Sequence, residues 1–145
     1  MIRILVSTDA IDSAAEMAAL EADGGAVATF TGLVRADDGV SVLELEHYPG
    51  ATEAALVRLA EAAQARWGLA GATIVHRVGA MRPGERIVFV GTASAHRAAA
   101  LEACAYLIDR LKTDAPFWKR ETVGAATRWV AAREHDDAAA RRWGD

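Results

Sequence analysis

The chain predicts an α+β fold: a single domain over residues 1–145 with a mixed or antiparallel sheet and packed helices. Strand-like and helix-like segments alternate without a strict βαβ repeat, two stretches carry long helical spacing, and no linker is long enough to split the chain. Ile2 to Ser7 reads as a first strand. Asp9 to Ala22 follows with helical spacing at Ile11, Ala14, Ala15, Ala18 and Ala19, and Gly24-Gly25 ends it. Ala26 to Val34 is strand-like, Arg35 to Gly39 is a polar loop, and Val42 to Tyr48 sets Leu43, Leu45 and His47 against Glu44, Glu46 and Tyr48. Pro49-Gly50 turns the chain into a helix from about Thr52 to Trp67. Strands over Ala72 to Val78 and Arg86 to Thr92 flank a Met81-Arg82-Pro83-Gly84 turn. Ser94 is the expected N-cap of a long helix reaching about Thr113, which must stop before Pro116. Short strands are expected over Phe117 to Glu121 and Arg128 to Ala132, and a last helical turn over Asp136 to Trp143.

Composition narrows the function classes. A net charge of −4, with no basic face to offset it, argues against general nucleic-acid binding. No apolar run approaches the ~20 residues that span a bilayer, and Met1 to Ser7 is too short and too polar-flanked for a signal peptide. Cys104 is the one cysteine; it excludes an intrachain disulfide and fits a reducing, cytoplasmic setting.

The sixteen basic residues divide into fourteen arginines and two lysines, and both lysines lie in Lys112-Thr-Asp-Ala-Pro-Phe-Trp-Lys119-Arg-Glu. Arg holds its proton throughout the physiological range, whereas a lysine ammonium can act as acid or nucleophile when partly desolvated. A chain that otherwise uses Arg and keeps two lysines seven residues apart points to chemistry Arg cannot do; two solvated helix-end lysines are the plain alternative. Ser94-Ala-His96-Arg97 opens a helix after a strand, where free N–H groups and the dipole attract anions, though an ordinary capped start has the same residues. Arg35 sits where a strand enters a loop. His47 and His76 read as packed or surface histidines, and Cys104 as a small buried hydrophobe. His135-Asp136-Asp137 has no second cluster at ligand spacing, so no metal site is expected. No nucleophile elbow, phosphate-binding Gly-rich loop or dinucleotide fingerprint occurs. His96 and Lys112 stand sixteen residues apart, ~24 Å along one helix, so a small-molecule site using both needs a second copy of the chain.

Five segments in order, Phe30-Thr-Gly-Leu-Val-Arg35, Leu45-Glu-His-Tyr-Pro-Gly50, Pro83-Gly-Glu85, Ser94-Ala-His-Arg97 and Leu111 to Glu121, together resemble the catalytic large subunit of molybdopterin synthase, over about Val6 to Trp143. The resemblance implies an α/β hammerhead-like fold and a homodimer within a heterotetramer. Each large subunit would bind a small ubiquitin-like sulfur-carrier subunit with a C-terminal Gly-Gly thiocarboxylate. It implies transfer of two sulfurs to cyclic pyranopterin monophosphate, with no cofactor beyond that thiocarboxylate. Family positions map Lys119 and Lys112 as catalytic, and Leu33, Val34, Arg35, His96, Arg97, Arg120 and Glu121 with both lysines as substrate-binding. Leu33 stands where relatives can carry a lysine. Arg133, in the segment after Trp129-Val130, is a further candidate for a cross-subunit anion cluster. Two rivals stand beside this reading: a non-catalytic module that binds a ubiquitin-like partner, and an acyl transferase, which would need a nucleophile the chain does not display.

Overall fold

In the computed structural model, which describes residues 1–130 and 139–144, the strands divide into two four-stranded sheets. The elements run β1 (Ile2–Ser7), α1 (Ser13–Glu21), β2 (Ala26–Leu33), a short 3-10 turn (Asp37–Gly39), β3 (Val40–His47), α2 (Ala51–Trp67), β4 (Gly71–Arg77), β5 (Gly79–Met81), β6 (Arg86–Ser94), α3 (Arg97–Asp114), β7 (Phe117–Val123) and β8 (Ala126–Val130). The first sheet has the order β1-β4-β6-β2 and is mixed, β1 and β4 being parallel and the other pairs antiparallel. The second, β5-β3-β7-β8, is antiparallel throughout.

Burial on both faces explains the near-continuous apolar run of β4. Ala72 and Ile74 join Val88 and Val90 against Leu56, Leu59 and Ala63 of α2 and Ala103 and Leu107 of α3. Val75, Phe89 and Ala93 face the other way and meet Ile11 and Leu20 at α1. The first sheet therefore lies between α1 and the α2/α3 pair. A third cluster, Val34, Leu43, Leu45, Val78 and Met81, joins the two sheets. The chain crosses from one sheet to the other at Gly79, whose φ of +88° is a conformation side-chain-bearing residues rarely adopt.

Local chemistry moves several element ends from their sequence expectation. α1 starts at Ser13 rather than near Asp9, because the Asp12 carboxylate accepts from the Ala15 N–H at 3.1 Å and caps the helix there. Ser94 is not the N-cap of α3: it is the last residue of β6, and the cap position falls to His96, whose N–H donates to the Ser94 hydroxyl at 3.3 Å. The Met-Arg-Pro-Gly turn is preceded by a strand the sequence reading lacks, β5, whose three residues are too few for a period to register. α3 does stop before Pro116, with Ala115 extended. Helix resumes at residues 139–141, inside the expected last turn, and Trp143 packs edge-on against Trp67 and Tyr106 while its indole N–H donates to Asp109 at 2.6 Å. The expected metal-free His135-Asp136-Asp137 stretch and Arg133 lie outside the described residues.

Candidate active site

A cavity of about 760 Å³ is lined by residues of both sheets and by the end of α3. The end of β2 and the segment after it contribute Leu33, Val34, Arg35 and Asp37. Lys112 comes from the last turn of α3, Lys119 and Glu121 from β7, and Arg128, Trp129 and Val130 from β8. Phe30, Val88 and Leu43 supply apolar wall. The fold thus brings together six expected site residues that the sequence spreads from 33 to 121.

The lysine segment is held from below. Pro116 ends the helix and its carbonyl accepts from the Thr52 hydroxyl at 2.9 Å, while that same hydroxyl accepts from the Tyr48 N–H at 3.0 Å. Thr52 is fully buried, so the start of α2 is tied to the link between Lys112 and Lys119 by two hydrogen bonds through one buried hydroxyl. Phe117 then stacks on His76 with ring centroids 4.1 Å apart. Alternation along β7 carries Lys119, half-buried, and Glu121 to the cavity face, and Lys112 is exposed at the end of α3.

Arg120 follows the opposite alternation. Its guanidinium pairs with Glu44 and lies 5.2 Å from the Trp129 ring centroid, and it is not among the cavity-lining residues. His96 and Arg97 are exposed at the start of α3, whereas Lys112 sits in its last turn, and neither of the first two lines the cavity of its own chain.

Among the described residues the largest shifts in protonation fall on His76 and Cys104. His76 is 6% exposed and its pKa is pushed down to about 4, chiefly by burial, with the charges of Lys112 and Lys119 acting in the same direction. Its Nδ1 lies 2.9 Å from the Arg77 carbonyl, an acceptor, which assigns the ring proton to Nδ1. Burial pushes the Cys104 thiol up to about 11, in keeping with a packed, unreactive side chain. Sequence reasoning left His76 without a role; its alternation with Ala72 and Ile74 was the available signal for burial. It passed over Arg128 and Trp129 as cavity residues because their placement depends on a hairpin register. Among the described residues no group of three or more His, Cys, Asp or Glu side chains could hold a metal ion. No helix among them is long and apolar enough to cross a membrane.

The chain is thus an α+β protein with a cationic, lysine-bearing cavity and a buried cysteine. The comparisons specify it: the MoaE protein family model matches residues 6–114, and the chain belongs to that family. A Mesorhizobium japonicum molybdopterin synthase catalytic subunit is 55% identical over 138 residues, covering 91% of this chain and 87% of that protein. The molybdopterin biosynthesis MoaE protein of Burkholderia ambifaria superposes with a TM-score of 0.86 at 49% identity, covering 100% of this chain and 99% of its own. A more distant chain, from the complex of subunits 1 and 2 of the Helicobacter pylori molybdopterin-converting factor, shares the fold with a TM-score of 0.74 at 22% identity over 91% of each chain.

Proposed function

We propose that this chain is the catalytic subunit of a molybdopterin synthase, transferring two sulfurs to cyclic pyranopterin monophosphate from the C-terminal thiocarboxylate of a small ubiquitin-like carrier. The observation that carries the reading is the charge of the cavity. Four cationic side chains, Arg35, Lys112, Lys119 and Arg128, face two acidic ones, Asp37 and Glu121, in a protein whose net charge is −4. Such a local excess concentrates anions, and both the phosphorylated pterin and the carrier's terminus are anionic. The two-subunit complex of the Helicobacter pylori relative supports a small partner.

Residue roles follow from placement. Arg35 offers a planar fork to phosphate. Lys112, exposed at the end of α3, suits the carrier's anionic tail, and the half-buried Lys119 suits proton transfer and charge stabilisation beside the reacting carbon. In each transfer a carbon–sulfur bond forms on the pterin side chain as a carbon–oxygen bond there breaks, its oxygen staying with the phosphate or leaving as water, and water cleaves the acyl–sulfur bond, so the carrier leaves as a carboxylate. Cys104, buried and with its thiol pKa raised, is not a relay, which leaves the partner as the sulfur source.

His96 and Arg97 are assigned to the cavity of a dimer mate, because a helix of 18 residues separates them from the lysine end of their own chain. Incubation with thiocarboxylated carrier and the cyclic pterin is expected to yield dithiolene product; carrier binding without product would leave a non-catalytic binding module. Mixing inactive Arg97→Ala chains with inactive Lys119→Ala chains is expected to restore activity, since a mixed dimer holds one pocket with both residues intact. Heterodimers that form and stay inactive would exclude the shared site.

A further inference from the structure

The β7–β8 hairpin turns at Gly124, and its register places Glu121 opposite Arg128 and Lys119 opposite Val130. Directly paired residues share a sheet face, so Lys119, Glu121 and Arg128 form one row of cation, anion and cation toward the cavity. Arg128 is well placed to do more than close a hairpin. Its side chain is 57% exposed, and the one ion pair it makes among the described residues is from Nη2 to the Glu121 carboxylate at 3.2 Å. Of the five N–H donors on a guanidinium, most therefore remain available to a ligand. The Glu121 side chain is only 14% exposed, so its charge is the better anchored half of the pair.

Arg35 shows the same arrangement: 66% exposed, it sits 3.4 Å from the Asp37 carboxylate. Single contacts of this kind hold a guanidinium only weakly, so each arginine can turn its remaining donors to a phosphate at small cost while keeping its carboxylate neighbour. A two-pronged guanidinium–phosphate contact is the stronger bond. Arg120, the neighbour in sequence to both Lys119 and Glu121, lacks this freedom because it is paired with Glu44 and packed against the Trp129 ring.

We propose that Arg128 is a phosphate-binding residue of this cavity, acting with Arg35 on the anionic end of the substrate. The inference rests on the pterin-phosphate reading above. Arg128 has a second effect in this role: by neutralising Glu121 it removes a carboxylate that would otherwise repel the phosphate.

The test is calorimetric titration of the carrier-free protein with cyclic pyranopterin monophosphate and, separately, with a phosphate-free pterin of the same ring system. Wild type, Arg128→Ala, Arg128→Lys and Arg128→Ala/Glu121→Gln are compared, with thermal melts confirming that each folds. Arg128→Ala is expected to weaken the phosphorylated ligand about tenfold or more, as for loss of a charged hydrogen-bond donor. Arg128→Lys should recover part of that loss, and removing the Glu121 charge should recover part as well. The phosphate-free pterin should bind wild type and Arg128→Ala equally. Unchanged affinity in Arg128→Ala, or an equal loss with the phosphate-free ligand, overturns the assignment while leaving the functional reading intact. Failure of wild type to bind the phosphorylated pterin at all overturns that reading, and the inference with it.

Discussion

The two sheets do different work with similar strand counts. In the first, β4 is buried along Gly71 to His76 and β6 along Val88 to Ser94, with helices on both faces. In the second, β7 is mostly half-buried and β8 mostly exposed, and their side chains include Lys119, Arg120, Glu121 and Arg128. A sheet covered on both faces can place backbone firmly but offers a ligand little beyond apolar wall, whereas an outer hairpin can present charge to a cavity and contributes little core. The site is built where the second kind of sheet leans on the first, so its rigidity is borrowed through Thr52, Pro116, Phe117 and His76.

Three measurements sharpen or break this division. The largest effect belongs to the covered sheet. Leu107 is fully buried on α3 in the main core, and Leu107→Ala is expected to cost about 2–5 kcal/mol of stability in denaturant titration, a large part of a domain's total. A cost under about 1 kcal/mol would mean that this face is not the scaffold.

Next comes the site sheet, where the loss should fall on rate instead. Lys119→Arg keeps the charge and removes the transferable proton, so turnover with saturating carrier is expected to fall on the order of 10²-fold while the melting curve stays put. Near-normal turnover would sink an acid role for Lys119; a matching drop in stability would show that the hairpin is structural after all.

The smallest effect at neutral pH lies at the junction. His76 titrates near 4 in the folded chain against an ordinary 6.5, so between those values the unfolded chain binds a proton that the folded chain does not. Stability is therefore complete above about pH 6.5 and falls as the pH drops toward 4, by on the order of 3 kcal/mol in total. His76→Gln keeps a side-chain donor and removes the titration, so its stability should fall less steeply over that window while differing modestly from wild type at pH 7. An unchanged acid slope would mean that His76 is not the neutral junction described.

The mixed fold class, the main helices and strands, the stop before Pro116 and the lysine segment were legible in the chain because each rests on local chemistry: periodicity, turn residues and a composition that keeps lysine at two positions. Leu33, Val34, Arg35, Lys112, Lys119 and Glu121 were legible through the family resemblance, and the cavity gathers these six. Other features were beyond reach for physical reasons. A three-residue strand such as β5 has no measurable period, and a cap such as Asp12 or His96 is chosen by backbone geometry that several nearby polar residues fit equally well.

The side of a sheet on which a charge emerges was decided by the tertiary structure alone. Arg120 and Arg128 look alike in sequence, yet pairing register sends one to Glu44 and the other to the cavity. The neutrality of His76 likewise comes from removing water around it and bringing two distant lysines near, neither of which is encoded next to it in the chain. Local propensity set which segments are strands and helices; long-range packing set which of their charges meet, because side-chain direction and desolvation exist only once the segments are assembled.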